Sequence, residues 1–412
     1  SNSFCTLLAL FVIEAMSFRF EISGESTMAR SGCFDLPHCK LRTPIFMPVA
    51  TQGAMKGVTV EMLEEIDCEI ILGNTYHLGL RPGERVLNAH GGVHGLQGWK
   101  RNILTDSGGF QMVSLLDLTT INEDGVVFKS THGSDSLVLK PEDSIRIQNA
   151  IGGDIMMQLD DCVHVLTTGP RVEEAMERSI RWLDRCLAAN AQPEKQCIFG
   201  IVQGALDENL RKRCLSEMIK RDCRGYAIGG LSGGESKDEF WRIVLLCCRH
   251  LPRNKPRYCM GVGYPVDILV CIALGVDMFD CVYACRTARF GTALTSRGEI
   301  QLTRKQFAKD RGPLDPECTC RVCREHTRGY LHTIAAREPL AGTLLSYHNI
   351  AYLVNLTRGC KAAIDEGRFP AYVQRFFALY FPKGNYPGWA VDALRAVDLE
   401  LPPAEAPKAG ET

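Results

Sequence analysis

The chain has 412 residues, 45% hydrophobic and 23% charged, which is enough for one large globular domain with additions or for two ordinary ones. Its formal net charge of −1 excludes a polycation that holds nucleic acid over its whole surface, yet Cys281 to Leu340 carries eleven basic residues against six acidic ones, so positive charge is concentrated there. Nineteen cysteines, many inside apolar runs, read as reduced core thiols and not as a disulfide framework, which favours a reducing compartment.

In chain order, the first feature is the apolar run FCTLLALFVI, from Phe4 to Ile13. No basic residue precedes it, the first being Arg19, so it lacks the charged lead of a signal peptide. It is also too short to span a bilayer, and no transmembrane segment is expected. Packing on the body as a strand or helix is the expectation, within an N-terminal extension assigned to residues 1–40.

Eight short apolar runs follow: PIFMPVA, EIILGN, RNILTD, DIMMQLD, CIFGIVQG, GYAIGG, RYCMGVG and DMFDCV. Each is nearly continuous in its hydrophobicity, the pattern of strands buried on both faces of a parallel sheet. Helical patterns lie between them. The clearest begins after TTGP at Arg171, where Val172, Met176, Ser179, Leu183 and Cys186 recur at three- and four-residue steps. Asp207 to Lys220 and Glu235 to His250 read the same way. Eight strand–helix units match an α/β fold of the (β/α)8 TIM barrel type, whereas a doubly wound sheet uses fewer strands.

The eighth run is not followed at once by its helix. A stretch rich in charge, cysteine and turn formers intervenes, and the next strong helical pattern starts near Tyr347. The expected division is barrel strands and helices over 41–294, a metal-binding insertion over 295–346, the last barrel helix and C-terminal helices over 347–400, and a disordered tail over 401–412. Within the insertion, CTCRVC sets Cys318, Cys320 and Cys323 close together, with His326, His332 and His348 downstream. Three thiolates and one imidazole make a closed tetrahedral zinc site, structural because no position is left open. Spacing alone does not choose the histidine.

In a barrel of this kind the active site lies at the C-terminal ends of the strands. The polar groups there are Asp106, Asp160 and Asp161, Gln203, the glycines of GGLSGG, Met260 to Gly263, and Asp280. Any single aspartate at such a place could be a helix cap, but six strands ending in polar or glycine-rich groups form a pattern. Carboxylates from different strands suit nucleophilic and acid–base work at an acetal-like carbon. Glycine runs let backbone N–H groups approach a ligand. Phe110 and Met260 offer flat, polarizable walls for a planar heterocycle. Just beyond Asp280 the chain is expected to pass into a loop, where Arg286 and Arg289 would meet phosphates at the rim.

The stretches LTDSGGFQMVSL, GYAIGGLSGGES, DMFDCV with RTARFG, and DPECTCRVC with HNIAY resemble the tRNA-guanine transglycosylases, and among them the queuine-inserting eukaryotic catalytic subunits. The similarity runs in order from about Thr43 to Ala390. It implies a (β/α)8 barrel with a zinc-binding insertion, and exchange of guanine at the anticodon wobble position of tRNAs for Tyr, His, Asn and Asp. It implies Asp280 as the nucleophile that forms a covalent intermediate with the ribose, and Asp106 as general acid/base. Ser107, Gly108, Gly109, Phe110, Asp160, Gln203, Gly230, Leu231, Gly233 and Met260 correspond to the base-binding groups.

By the same resemblance, Gly261, Val262, Gly263, Tyr264, Pro265, Val266 and Asp267, with Cys285, Arg286, Thr287, Ala288 and Arg289, correspond to tRNA-binding segments. Cys318, Cys320, Cys323 and His348 correspond to the zinc ligands, one zinc per chain. Bacterial relatives carry valine where this chain has Gly233, which implies room for queuine over a smaller precursor. Relatives usually have Pro-Thr where this chain has Ala284-Cys285, and animal enzymes tend to have valine at Cys162. The implied partners are tRNA, queuine, guanine and a homologous non-catalytic subunit in a heterodimer, with a homodimer as the state of the chain alone. The implied location is the cytoplasm, including the periphery of the mitochondrial outer membrane.

Two other readings compete. A non-catalytic tRNA-binding partner subunit is disfavoured by the presence of both Asp106 and Asp280. A zinc-dependent barrel hydrolase is disfavoured by a ligand set that leaves the metal no open position.

Overall fold

Each of the eight apolar runs forms a strand, and the strands pair in chain order. The computed structural model describes residues 18–109, 119–129, 136–335 and 338–402. The strands are β1 (Ile45–Ala50), β2 (Ile70–Gly73), β3 (Asn102–Thr105), β4 (Ile155–Met157), β5 (Cys197–Val202), β6 (Gly225–Ile228), β7 (Arg257–Cys259) and β8 (Met278–Cys281). All neighbours are parallel, and β8 closes the barrel on β1 through pairs such as Met278 with Ile45.

Side-chain alternation along a strand explains why the runs are apolar throughout. Ile70, Leu72, Leu104, Ile155, Met157 and Phe199 belong to one buried cluster inside the barrel. Their neighbours Ile71, Ile103, Met156 and Ile198 belong to a second cluster beneath the helices. Both faces are therefore dry, as expected for a barrel wrapped in helices.

The N-terminal end of the barrel is filled. Strands Phe20–Ser26, Ala29–Asp35 and Lys40–Thr43 form an antiparallel sheet. Phe20, Phe34 and Leu41 join the inner cluster, and the Phe34 and Phe199 rings lie 6.0 Å apart. Arg30 binds Asp277 through Nε to Oδ1 at 2.9 Å and Nη2 to Oδ2 at 2.5 Å, and it also donates to the carbonyls of Arg253 and Lys255. Both charges are fully buried, so losing one partner costs about 3–5 kcal/mol. This end is packing, and the opposite end is free to hold chemistry.

The helices expected after TTGP, at Asp207 and at Glu235 span Pro170–Ala189, Glu208–Ile219 and Lys237–His250. Asp207 caps the second, and Ser236 caps the third reciprocally with Glu239. Three local features differ from expectation. The long helix spans Pro339–Asp365, starting eight residues before Tyr347, because Pro339 occupies its first turn, where no N–H is needed. The segment after β8 is a short helix, Tyr283–Ala288, and not a loop; Ala284 and Ala288 are buried, and the Ala284 carbonyl accepts from Asn349 Nδ2 at 3.0 Å. Strands Thr119–Ile121, Val126–Lys129 and Ser136–Leu139 form an antiparallel sheet after β3 where none was expected. Among the described residues no helix is long and apolar enough to cross a membrane. The Phe4–Ile13 run, Phe110 and the tail from position 403 lie outside the described residues.

Candidate active site and metal centre

At the C-terminal ends of the strands lies a cavity of about 550 Å³, lined among others by Asp106, Asp160, Gly230, Tyr258, Met260 and Asp280. The sequence-predicted groups from β3, β4, β6, β7 and β8 thus converge on one space.

Asp106 follows β3 and is fixed by the neighbouring β2 loop. Its Oδ2 accepts from Asn74 Nδ2 at 2.5 Å, and its Oδ1 accepts from the backbone N–H of Thr75 at 2.8 Å. Thr75 Oγ1 donates to the Asp106 carbonyl at 2.5 Å. Asn74 also caps the short helix Thr75–Leu80, so one turn of chain orients the carboxylate. Neither Asn74 nor Thr75 was anticipated; the strand–Asn–Thr sequence ILGNT was the available signal. Ser107 lines the cavity next to Asp106, while Gly108 turns with φ +80° and its N–H donates to Asp106 Oδ1 at 3.2 Å.

Asp160 is buried, accepting from Gln203 Nε2 at 2.6 Å and from Ser107 Oγ at 3.3 Å. Burial pushes its carboxyl up to about 6 against the opposing Gln203 hydrogen bond. Gln203 sits behind Asp160 and not in the cavity wall. Gly230 adopts φ +66°, and a Cβ there would lie 2.5 Å from Gln203 Oε1, so both the turn and the space require glycine. Asp161, though adjacent in sequence, points elsewhere. It is fully buried and paired with Arg171 at 2.6 Å and Arg178 at 2.5 Å, which makes it a structural group.

Gly233 and Leu231 line the cavity, and a Cβ on Gly233 would meet Val165 Cγ1 at 3.2 Å. Glu235 accepts from the amides of Ser232 at 2.6 Å and Gly233 at 2.9 Å, pinning this loop. Cys162 also lines the cavity, and burial pushes its thiol up to about 12, so it presents a neutral, weakly polar wall.

Asp280 stands in β8. Its Oδ1 accepts from Tyr258 Oη at 2.5 Å and from the Gly261 N–H at 2.8 Å. Burial raises its carboxyl above the ordinary value, opposed by those two donors. The cavity therefore holds a hydrogen-bonded carboxylate on one strand, a second carboxylate held by a helix start on another, and a third, Asp160, held by Gln203 and Ser107. That set can attack an electrophilic carbon, move a proton and read a heterocycle.

The sequence profile of the family described as queuine tRNA-ribosyltransferase matches residues 25–382. The chain belongs to the queuine tRNA-ribosyltransferase family. A catalytic subunit of that name from Schizosaccharomyces pombe is 51% identical over 396 residues, covering 94% of this chain and 98% of the relative. One from Caenorhabditis elegans is 51% identical over 364 residues, covering 88% and 91%. The queuine tRNA-ribosyltransferase of Thermus thermophilus is 44% identical over 380 residues, covering 92% and 98%.

In this member of the family the segments that resembled tRNA-binding stretches reach the cavity at one residue each. Gly261 and Arg286 line the cavity itself. Tyr264, Arg286 and Arg289 are exposed, whereas Val262, Pro265, Val266, Asp267 and Ala288 are buried and shape the backbone. Gly263 packs against Cys281 and Tyr283 with no room for a Cβ. Asp267 pairs with Lys237, whose ammonium lies 5.7 Å from the Tyr264 ring and 5.9 Å from Trp389. Thr287 Oγ1 donates to the Tyr283 carbonyl at 2.8 Å, and half-buried Cys285 sits one turn inside the same helix. Phe290, 71% exposed just beyond Arg289, went unnoticed in the sequence.

Cys318, Cys320, Cys323 and His348 bring their ligand atoms within 4.8 Å of one another. His348 Nδ1 lies 3.9, 3.4 and 3.4 Å from the three sulfurs, while its Nε2 donates to the Leu294 carbonyl at 2.7 Å. That bond fixes the tautomer that leaves Nδ1 free to bind a metal ion. His326 stacks on Tyr330 and His332 bonds the Leu302 carbonyl, so neither belongs to the cluster.

Proposed function

We propose that this chain exchanges guanine at the anticodon wobble position of tRNAs for Tyr, His, Asn and Asp for queuine, by double displacement through an aspartyl–ribose ester. The observation that carries the reading is the convergence of Asp280, from β8, and Asp106, after β3, on one cavity that Asp160, Gly230 and Met260 also line. An oxygen of Asp280 forms a bond to C1′ of the ribose as the C1′–N9 bond breaks; the electron pair passes to guanine, and Asp106 gives it a proton. Queuine then attacks C1′, the ester C–O bond breaks with its pair returning to Asp280, and Asp106 takes the proton that queuine releases.

Asp160, supported by Gln203 and Ser107, accepts from the base's N–H groups, and the Gly230–Leu231 backbone lies along its edge. Met260, from the end of β7, provides an apolar wall for the ring, a role shared by resemblance with Phe110. Arg286, Arg289 and Tyr264 meet the RNA backbone at the rim. Zinc is the metal that three thiolates and an imidazole suit, and four protein donors make it structural: it would hold the insertion against the long helix that carries His348. A homologous non-catalytic subunit completes a heterodimer in the cytoplasm, a location in keeping with eighteen free cysteines among the described residues.

The test is incorporation of labelled guanine, then of queuine, into transcripts of the four tRNAs, with and without a non-catalytic subunit. Label should enter only transcripts with guanine at the wobble position. Incorporation into none, or into transcripts lacking that guanine, overturns the reading.

A further inference from the structure

Among the described residues, the two donors that reach the Asp280 carboxylate from elsewhere in the chain fall on the same oxygen. Tyr258 Oη and the Gly261 N–H each donate to Oδ1, and neither reaches Oδ2. A carboxylate in solution has two equivalent oxygens; this one does not. Tyr258 is only 1% exposed and rises from β7 directly beside β8, so its hydroxyl cannot swing to water for another partner. Burial and the neighbouring Asp280 charge hold its phenol well above the ordinary value, so it remains a donor through neutral pH. Gly261 reaches its position with φ +75°, a conformation that aims its N–H at the same atom.

We propose that Tyr258 is a positioning residue that makes Oδ2 the attacking atom of Asp280 and Oδ1 the atom on which charge is held when the ester breaks. This rests on the double-displacement reading above. In the first half-reaction Oδ2 forms the bond to C1′ as the bond to guanine breaks, and Oδ1 becomes the ester carbonyl oxygen. In the second half-reaction the C1′–Oδ2 bond breaks and its electron pair returns to the carboxylate. The Tyr258 hydroxyl and Gly261 amide then meet the returning negative charge at Oδ1, with no reorganisation required at that moment. The pair therefore aids departure of the carboxylate more than its attack, because the same bonds that stabilise the anion also temper its nucleophilicity.

The consequence is a shift in partition between the half-reactions. In Tyr258→Phe, adduct with a guanine-bearing tRNA should still form. Its breakdown by incoming base should slow by about tenfold to a hundredfold, the worth of a hydrogen bond to a charged group. Adduct should then accumulate under turnover conditions where wild type shows little. The acid limb of adduct formation should move to higher pH, because the ionised carboxylate has lost a donor. A purely structural tyrosine would lower both half-reactions together and leave that limb in place. Replacing Tyr258 with a ring-fluorinated tyrosine, a stronger donor of the same shape, should move the limb the opposite way, and it covers the case in which the phenylalanine variant fails to fold. If wild type forms adduct but the phenylalanine and fluorotyrosine proteins match it in adduct level, breakdown rate and pH limb, the inference is wrong. If wild type forms no adduct at all, the underlying reading fails instead.

Discussion

Gln203 Nε2, from the end of β5, donates to Asp160 Oδ2, from the end of β4, at 2.6 Å. The pair is buried, and with Ser107 Oγ donating to Oδ1 at 3.3 Å both oxygens carry a protein hydrogen bond, so under the proposed function Asp160 offers the base its remaining lone pairs, and both oxygens are acceptors only while it is ionised. Burial moves its carboxyl from the ordinary 3.8 to about 6. Base affinity should therefore fall as pH drops through about 6, since the protonated acid no longer accepts on that edge. Between 3.8 and 6 the folded chain holds a proton that the unfolded chain lacks, so this group alone favours the folded state more as pH falls through that window. Guanine binding measured against pH should show this loss in wild type and none in Asp160→Asn, which should bind weakly throughout.

Under the proposed function, the space beside Gly233 is what admits the larger base. A Cβ there would stand 3.2 Å from Val165 Cγ1, a tight contact, and both residues line the cavity, so a valine would crowd this part of its wall. Gly233→Val should cut queuine incorporation by about tenfold to a hundredfold, and the smaller bacterial precursor much less. A competition assay on wild type should favour queuine; strong preference for the precursor would count against the assignment.

For Asp106 the neighbours set the expectation. Asp106→Asn should lower exchange by about a hundredfold to ten-thousandfold while tRNA binding persists. Its amide would also face Asn74 Nδ2 and the Thr75 N–H, both donors, so thermal unfolding should show a loss of about 1–2 kcal/mol. Single-turnover exchange and calorimetry separate the two effects.

The metal centre carries a different signature. Structural zinc in small peptides contributes roughly 10–16 kcal/mol, comparable with or larger than the whole stability of most domains. His348→Ala, or prolonged chelation, should open residues 292–335 to protease before the barrel unfolds. Immediate loss of chemistry with the insertion still protected would instead point to a metal in the reaction.

Much of this was legible because a barrel strand is dry on both faces and its end is not. ILTD, MMQLD, IVQG and MFD each announce a strand and a polar stop, and so located Asp106, Asp160, Gln203 and Asp280. What the pattern hid were partners distant in the chain. Nothing in RYC marks Tyr258 as the donor to a residue 22 positions later, and nothing in ARSG marks Arg30 as the buried partner of Asp277. Asp160 and Asp161 look alike in sequence, yet adjacent residues leave a strand end in different directions, and only one reaches the cavity. VYACRTA carries no signal for helix Tyr283–Ala288, because its stability comes from packing and from Asn349, not from its own propensity.

The most direct measurement is trapping. Wild type and Asp280→Asn are incubated with a tRNA bearing guanine at the wobble position, quenched in denaturant and examined for a protein–RNA adduct. The account predicts an adduct with wild type, mapped by proteolysis to the β8 peptide, and none with the variant although it still binds tRNA. A wild-type chain that binds the tRNA but forms no adduct and exchanges no guanine, even with a non-catalytic subunit added, would contradict it and leave Asp280 a structural carboxylate at a strand end.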